Sequence, residues 1–305
     1  MRILVTGKNG QLGRSIYKLV NTGSKIDNNQ SSDDFIFVGR EELDLSSESS
    51  VSDYFSNNDK FDIIINCAAY TQVDKAEQEA VLANQINHLA VKQLASIANE
   101  QKARLIHIST DYVFDGESDK PYIETDKTNP INVYGKTKLA GEKALQAVMP
   151  TNAIIIRTSW LYSEYGNNFV NTMLKLSKER EKLNVVNDQI GSPTYATDLA
   201  GAILEIIKNK EFTGGDQATQ IYHYSNEGEI SWHDFAKEIF ELADIQCNIT
   251  AITTEQYPTP TKRALYSYLD SSKIIDDFDL KTLEWKESIG RFIKLFESNI
   301  KCYCL

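Results

Sequence analysis

Short apolar segments rich in β-branched residues recur along the first half of the chain and alternate with stretches of helical periodicity. The predicted strands cover residues 3–5, 35–38, 63–65, 105–108 and 153–156. The predicted helices cover residues 11–20, 73–100 with one break allowed, 133–147, 169–179, 196–208 and 232–243. Strands that are apolar along their whole length are typical of a parallel sheet covered by helices on both faces. The pattern therefore predicts an α/β fold with a Rossmann-type doubly wound parallel sheet.

The alternation becomes looser after about Trp160, where polar connections such as residues 213–216 separate the elements. We therefore expect a first domain over residues 1–158, with returning elements near 183–224, and a smaller C-terminal α/β region over 159–305. The stretch 21–34, rich in Ser, Asn and Asp, is typical of a surface loop.

Composition and charge narrow the possible functions. With 305 residues, 41% hydrophobic and 25% charged, the chain resembles an ordinary globular protein. The net charge of −11 argues against binding to nucleic acid or to an anionic membrane. We expect a cytoplasmic protein, because the chain lacks a membrane-length apolar run and a secretion signal at its start. Cys67, Cys247, Cys302 and Cys304 are too scattered for a disulfide framework, and Cys302 is expected in an exposed tail.

Three glycines follow the first predicted strand at intervals of three residues. Gly7, Gly10 and Gly13 lie where the strand turns into a helix, with Gln11 and Leu12 opening that helix. Such a turn brings the backbone close to a pyrophosphate, and the helix N-terminus offers unpaired N–H groups to it. An ordinary βα loop is the alternative, but the strand, turn and helix together favour a dinucleotide site. Residues 1–158 are therefore expected to be an NAD(P)-binding domain, with substrate bound mainly by 159–305.

The end of the second strand bears on the choice of coenzyme. An acidic residue there favours NAD, whereas an arginine can accept the extra phosphate of NADP. Arg40 is followed by Glu41, so both types are present, and Arg40 favours NADPH over NADH. A solvated loop charge is the alternative for Arg40. Asp44 and Leu45 are expected near the adenine.

A tyrosine and a lysine four residues apart suggest the chemistry. Tyr134 and Lys138 share one face of a predicted helix, so the ammonium is expected to lower the pKa of the phenol. Tyr134 can then act as a general acid or base. Thr110 ends the fourth strand, at the sheet edge where ligands bind, and is the candidate to hold a substrate carbonyl. Asn87 could hold a backbone carbonyl or a relay water, or simply cap a helix.

With these residues assembled, the chain resembles the extended short-chain dehydrogenase/reductases, and within them the dTDP-4-dehydrorhamnose reductase family. The glycine spacing is that of the superfamily. The matching segments are 7–13 (GKNGQLG), 66–77 (NCAAYTQVDKAE), 109–116 (STDYVFDG), 132–142 (NVYGKTKLAGE), 157–160 (RTSW), 166–170 (GNNFV) and 188–194 (DQIGSPT).

The resemblance implies reduction of the 4-keto group of dTDP-4-dehydro-L-rhamnose by NADPH or NADH, with a role for each matching residue. The implied catalytic residues are Thr110, Tyr134 and Lys138. For the coenzyme the resemblance implies Gly10, Gln11, Leu12, Asp44, Leu45, Ala69, Tyr70, Thr71 and Ile108. The residues argued above add Gly7, Gly13, Arg40, Tyr134 and Lys138. The implied substrate residues are Thr110, Asp111, Tyr112, Trp160, Asn168 and Arg263. We expect a monomer or a homodimer that acts on a dTDP-sugar.

The sequence departs from the family pattern at two places, and these affect which properties of the family are expected for this chain. Some members are magnesium-linked dimers through glutamates, but this chain has Ser15 and Thr197 at those places, so no metal is expected. The C-terminal substrate loop usually has Arg-Pro, whereas this chain has Arg263-Ala264.

Three other functions are alternatives to reduction. Sugar-nucleotide 4,6-dehydratases need an Asp-Glu pair after the threonine, and the pair here is Asp111-Tyr112, which favours one-step reduction. Epimerases also use Tyr and Lys, but retain their NAD. A non-catalytic regulator, like the reductase-related β subunit of methionine adenosyltransferase, would bind coenzyme without turnover.

Overall fold

The computed structural model describes residues 1–23 and 33–303, with side chains up to residue 298. In chain order the strands are β1 (Arg2–Thr6), β2 (Asp34–Val38), β3 (Ile63–Asn66), β4 (Arg104–Thr110), β5 (Ala153–Thr158), β6 (Leu161–Tyr162), β7 (Lys182–Val186), β8 (Ile190–Gly191), β9 (Thr194–Tyr195), β10 (Gln220–Tyr224), β11 (Ile230–Ser231) and β12 (Asn248–Ile252). The five predicted strands are confirmed as β1 to β5.

The helices of the described chain flank and follow these strands. They are α1 (Gln11–Gly23), α2 (Glu48–Ser56), α3 (Val73–Ala76), α4 (Ala80–Asn84), α5 (Ala90–Gln101), α6 (Val133–Val148), α7 (Phe169–Leu176), α8 (Ala196–Ile206), α9 (Lys210–Thr213), α10 (Trp232–Leu242), α11 (Ser272–Phe278) and α12 (Trp285–Tyr303). A π-helical turn, Gln85–Leu89, joins α4 to α5.

Six strands form one parallel sheet in the order β2-β1-β3-β4-β5-β10. From β1 the chain goes outward to β2 and then returns past β1 to β3. The carboxyl ends of β1 and β3 therefore border a topological switch point, the place where open α/β sheets bind ligands. This confirms the predicted fold class.

Alternating strand residues feed two apolar layers, one on each face of the sheet. Ile3 and Val5 of β1 pack with α1 and α8, whereas Leu4 packs with α2 and α5. Both sets are almost fully buried, because side chains two residues apart share a face while neighbours point to opposite faces. The layers hold β1 and α1 in place, and with them the glycine turn.

The later part of the chain has an apolar cluster of its own. Tyr162, Leu183, Phe235 and Trp285 are among its buried members, and β12 pairs with β7 beside it. In contrast, β10 returns to the large sheet and pairs with β5. The assignment of substrate binding to residues 159–305 stays a prediction.

Several bounds differ from the sequence-based expectation. The predicted helix 73–100 is interrupted by residues 77–79, and α2, α9, α11 and α12 were not predicted. Of the expected loop 21–34, the first three residues belong to α1, Asp34 opens β2, and residues 24–32 lie outside the described chain. The Cys302 side chain and Cys304 also lie outside it, so the predicted tail stays a prediction.

None of the helices within the described ranges combines the length and the apolar character needed to cross a membrane.

Candidate active site

The glycine turn has the geometry that the sequence predicted. Gly7 has a φ of 72°, and a Cβ there would lie 2.9 Å from the Ala68 backbone nitrogen. A Cβ on Gly13 would lie 2.3 Å from the Gly7 carbonyl oxygen, so both glycines are needed for close packing. Gly10 is exposed and directly precedes α1, whose first-turn N–H groups have no partners within the helix. The turn therefore offers donors to an anion.

Gln11 and Leu12 play different parts in this turn. The Leu12 side chain is buried in the core, which leaves its backbone facing the turn. Gln11 Nε2 donates to the Leu161 carbonyl at 3.1 Å, and its Oε1 accepts from Ser163 and from Asn168. Gln11 thus joins the glycine turn to the segment that follows β6.

Basic and acidic side chains meet at the end of β2. Arg40, with its side chain 75% exposed, pairs with Asp44 at 3.3 Å. Lys8 pairs with Glu42, whose other oxygen accepts from the Gly39 backbone nitrogen at 2.8 Å. Lys8 and Glu42 were not predicted as site residues. Both cations therefore have carboxylate partners, and Arg40 extends into solvent where a phosphate can reach it.

Backbone groups after β3 are held by a buried asparagine. Asn87 lies in the π-helical turn and binds both backbone groups of Tyr70, through Oδ1 to the nitrogen at 2.9 Å and through Nδ2 to the oxygen at 3.1 Å. π-Helical turns are frequent at functional sites. Asn87 therefore fixes the path of residues 69–71, the segment expected to line the coenzyme.

Tyr134 lies at the carboxyl end of β4, in the first turn of α6. Thr110 forms a hydrogen bond with its hydroxyl, and the Tyr112 ring meets the Tyr134 ring edge-on at 5.3 Å. Burial raises the pKa of Tyr134 above its ordinary value, and the nearby Asp111 carboxylate adds to this. The expectation of a lowered pKa is therefore wrong, because loss of hydration penalises the phenolate. Tyr134 therefore keeps its proton, and its role as a general acid stays a prediction.

Lys138 lies one turn further along α6 and is almost completely buried. Its Nζ donates to the Ile108 carbonyl at 2.6 Å and lies 3.3 Å from His107 Nε2. Burial lowers the pKa of Lys138 to about 8, and the Glu142 carboxylate acts in the opposite direction. An ammonium has three donors and the Ile108 carbonyl accepts from one, so a donor remains for a bound ribose hydroxyl.

The remaining predicted substrate residues surround this centre. The Trp160 indole stacks on Trp232 at 3.5 Å, next to Gly191. Arg263 donates to the Tyr112 hydroxyl at 2.8 Å and pairs with Asp74 at 2.7 Å. Tyr112 contacts Tyr134 and Arg263 contacts Tyr112, but the sugar contacts assigned to Tyr112, Trp160 and Arg263 stay predictions.

Asn168 has a structural function in the described chain. Its Oδ1 caps α7 by accepting from the Asn171 backbone nitrogen at 3.0 Å. Its Nδ2 donates to Gln11 and to the carbonyls of Ser163 and Tyr165. Contact between Asn168 and a nucleotide stays a prediction.

Sequence reasoning missed the buried polar groups behind Lys138. Glu142 and Arg157 form an ion pair at 2.7 Å with almost no solvent exposure, and Ser109 donates to Glu142 at 2.5 Å. His107 is fully buried beside Lys138. The patterns used here give no signal for them, because a histidine inside an apolar strand is ordinarily a core residue.

The site fits a dinucleotide. The open backbone at Gly10 and the start of α1 would hold its pyrophosphate, and Lys138 would hold the nicotinamide ribose. Among the residues that the structure describes, no group of three or more His, Cys, Asp or Glu side chains is placed to hold a metal ion.

A parallel sheet whose switch point carries this glycine turn, with a Tyr–Lys pair and a threonine at the next strand end, defines the class of the NAD(P)-dependent short-chain dehydrogenase/reductases. The family model described as RmlD substrate binding domain matches residues 1–298. The chain belongs to the dTDP-4-dehydrorhamnose reductase family. The resemblance indicated by the motifs is thereby confirmed.

Named relatives support this assignment along nearly the whole chain. The chain is 43% identical to the dTDP-4-dehydrorhamnose reductase of Aggregatibacter actinomycetemcomitans, over 94% of this chain and 97% of that protein. A crystal structure of the Clostridium acetobutylicum reductase is 42% identical and superposes with a TM-score of 0.87 over 97% of this chain and 100% of that one. The Bacillus anthracis reductase, solved in complex with NADP, is 37% identical, with a TM-score of 0.85 over 95% and 98%.

Proposed function

We propose that this chain reduces the 4-keto group of dTDP-4-dehydro-L-rhamnose to give dTDP-L-rhamnose in nucleotide-sugar biosynthesis, with NADPH or NADH as reductant. The observation that carries the proposal is the buried, protonated Tyr134, hydrogen-bonded to Thr110 and followed one turn later in α6 by the buried Lys138. A phenol that keeps its proton suits ketone reduction, in which a proton must be delivered to the developing alkoxide. The relatives named above are reductases of this substrate by name.

Each catalytic residue has one task in the proposed reaction. The bound coenzyme supplies a hydride to C4. Tyr134 gives its proton to O4, and the Thr110 hydroxyl fixes that oxygen beside the phenol. Lys138 binds the ribose and stabilises the phenolate that Tyr134 leaves behind. Because Tyr134 and Thr110 are buried, bulk water does not compete for the transferred proton.

The proposal separates this chain from the neighbouring functions. A dehydratase would need a carboxylic acid where Tyr112 stands, and the Tyr112 hydroxyl is instead held by Arg263. An epimerase would show no net consumption of coenzyme, and a regulator would bind coenzyme without any turnover. Net consumption of coenzyme distinguishes a reductase from these functions, and analysis of the sugar distinguishes an epimerase, which converts it, from a regulator, which does not.

The test follows the near-ultraviolet absorbance of NADPH, and then of NADH, with enzymatically made dTDP-4-dehydro-L-rhamnose. We expect oxidation of at least one coenzyme and formation of dTDP-L-rhamnose. Tyr134→Phe should lower kcat by about a thousandfold, because it removes the general acid, while coenzyme binding stays nearly unchanged. Tyr257→Phe, at an exposed tyrosine, is the matched control and should retain full activity. A Tyr134→Phe variant as fast as the wild type would disprove the assignment.

We propose a cytoplasmic monomer or homodimer that binds neither nucleic acid nor membranes. The net charge of −11 supports this, since phosphate-rich partners are bound through excess Lys and Arg. Sedimentation of the purified protein gives the oligomeric state.

A further inference from the structure

Two of the polar side-chain contacts between β4 and α6 lie beneath Tyr134 and Thr110. His107 and Ser109 are two residues apart and share one face of β4, while Lys138 and Glu142 are four apart and share one face of α6. These separations are about 6.6 Å along a strand and about 6 Å along a helix, so the contacts form parallel rungs. His107 faces Lys138 at 3.3 Å, and Ser109 faces Glu142 at 2.5 Å.

His107 is contacted from behind by Asn66. Thr6 Oγ1 donates to Asn66 Oδ1 at 2.7 Å, and the Ala68 backbone nitrogen lies 3.3 Å from both this Oδ1 and Thr6 Oγ1. The amide oxygen of Asn66 lies on the side of Thr6 and Ala68, where it accepts from both. Asn66 Nδ2 therefore faces His107 Nδ1, at 3.1 Å.

This arrangement determines which nitrogen of His107 carries the proton. The amide NH₂ of Asn66 is a donor, so Nδ1 must accept, and the proton of the neutral ring lies on Nε2. The ring is neutral because burial and the positive charge of Lys138 keep the pKa of His107 well below its ordinary value. The Nε2–H group points at Lys138 Nζ, where a neutral amine can accept it and an ammonium cannot.

The groups around Lys138 act in opposite directions. Glu142, on the same helix, favours the ammonium, although Arg157 of β5 pairs with that carboxylate. His107, from β4, and burial favour the amine. The Ile108 carbonyl accepts a hydrogen bond from either form.

We propose that His107 is a positioning residue: held by Asn66 as its Nε2–H tautomer, it stabilises the neutral amine of Lys138 and so helps Lys138 return a proton to Tyr134 after each turnover. In that step an N–H bond of the ammonium breaks and the phenol O–H bond forms. The amine that remains is bound by His107 Nε2–H, and solvent then protonates it. The functional part of this inference rests on the proposed reductase activity, but the tautomer does not.

The tautomer is tested without turnover, by long-range ¹H–¹⁵N NMR of the full chain labelled with ¹⁵N-histidine. The chain has four histidines, and the His107→Gln variant assigns the His107 signal by its loss. We expect His107 to stay neutral from pH 5 to pH 9, with its proton on Nε2. A proton on Nδ1, or an imidazolium that titrates near pH 6.5, would overturn the proposal.

The function is tested by the pH profile of kcat for His107→Gln. A glutamine amide can turn its oxygen towards Lys138 and favour the ammonium, so proton return becomes harder. We expect the basic limb of the profile to move up by about one pH unit and kcat at pH 7 to fall by about tenfold. The KM for coenzyme should change by less than about twofold, since Lys138 still holds the ribose.

His233→Gln is the matched control, because His233 lies on α10 and is not among the contacts of Asn66, His107 and Lys138. It should leave the pH profile of kcat unchanged. A folded His107→Gln enzyme whose basic limb stays in place would show that His107 only fills space. If neither wild type nor variant turns over, the proposed function fails, and the NMR result still decides the tautomer.

Discussion

Asp111 is a carboxyl group buried directly beside Thr110 and Tyr134. Thr110 donates to its Oδ1 at 2.8 Å, and Ser267 also hydrogen-bonds to it. Burial nevertheless raises the pKa of Asp111 from 3.8 to about 6. The folded protein therefore holds this proton more tightly than the unfolded chain, and at neutral pH it contains an ionised carboxylate that burial destabilises.

The Asp111→Asn substitution should therefore stabilise the protein at neutral pH. Between pH 3.8 and about 6 the folded state binds the extra proton, so the contribution of Asp111 to stability falls as the pH rises through this window and stays level above it. We expect Asp111→Asn to raise the free energy of unfolding at pH 7 by about 3 kcal/mol and to have little effect near pH 4. Urea denaturation at both pH values measures this difference.

A control for this change is Asp59→Asn, at a side chain that is almost fully exposed. It should alter the free energy of unfolding by less than about 0.5 kcal/mol at either pH. Equal stabilisation by Asp111→Asn at pH 4 and pH 7 would rule out ionisation as the cause. Since Asp111 is a predicted substrate residue, we expect the stabilised variant to have lower activity.

Residue spacing alone predicted the candidate catalytic residues but not the buried groups that contact them. Tyr134 and Lys138 follow from helical periodicity, and Thr110 follows from its place at a strand end. The pKa of Tyr134 did not follow, because burial depends on the packing of Tyr112 and Asp111 around it. His107 acquires a function only through contacts with Asn66 and Lys138, which are 41 and 31 residues away.

At the scale of elements, α6 and the π-helical turn pack closely. A Cβ on Gly141 of α6 would lie 2.1 Å from the Asn87 backbone oxygen. The close approach lets Asn87 reach Tyr70 on one side and the Thr137 hydroxyl at 3.3 Å on the other. The helix that carries Tyr134 therefore also positions the segment expected to line the coenzyme.

Gly141→Ala should separate these two elements. The added methyl group must push against a backbone oxygen, so we expect a loss of about 2 kcal/mol in the free energy of unfolding. Displacement of Asn87 should also raise the KM for coenzyme by about tenfold. Thermal denaturation and steady-state kinetics measure the two effects.

Gly201→Ala is the matched control, because Gly201 lies within α8 and a Cβ there would meet nothing within 4 Å. It should stabilise the protein by about 0.5–1 kcal/mol, since alanine favours the helix. If both alanine variants behaved alike, the contact between α6 and Asn87 would have no energetic importance.

The long periodic elements were predictable, and the short or irregular ones were not. The prediction 133–147 for α6 differs from the structure by one residue, since buried positions recur through it at helical spacing. The helix α2 has only Val51 and Phe55 buried in nine residues, which leaves little pattern to detect. A π-helical turn has no pattern of its own in the sequence, because it arises where Asn87 packs on Gly141.

At the scale of the whole molecule, residues 265–270 pair with backbone groups from much earlier in the chain. Tyr122 exchanges backbone hydrogen bonds with Tyr268 and Asp270, and Ile190 does so with Leu265 and Ser267. Arg263, just before this segment, binds Asp74 and Tyr112 from the first half. Sequence reasoning predicted a C-terminal region over the ligand edge, but these pairings join residues 75 to 148 positions apart in the chain and leave no local signal.

Arg263→Met should reveal how much the contacts of Arg263 contribute to the stability of residues 265–270 over the site. The planar guanidinium binds two partners at once, and methionine fills similar space without either hydrogen bond. We expect a loss of about 1–2 kcal/mol in the free energy of unfolding and a higher KM for the sugar, because Tyr112 next to Tyr134 loses its anchor. A double-mutant cycle with Tyr112→Phe should give a coupling energy of about 1 kcal/mol. Lys208→Met, at an exposed pair with Glu205, should change stability by less than about 0.5 kcal/mol. A coupling energy near zero would mean that Arg263 and Tyr112 are neighbours without mutual support, and that the backbone hydrogen bonds alone hold the segment over the site.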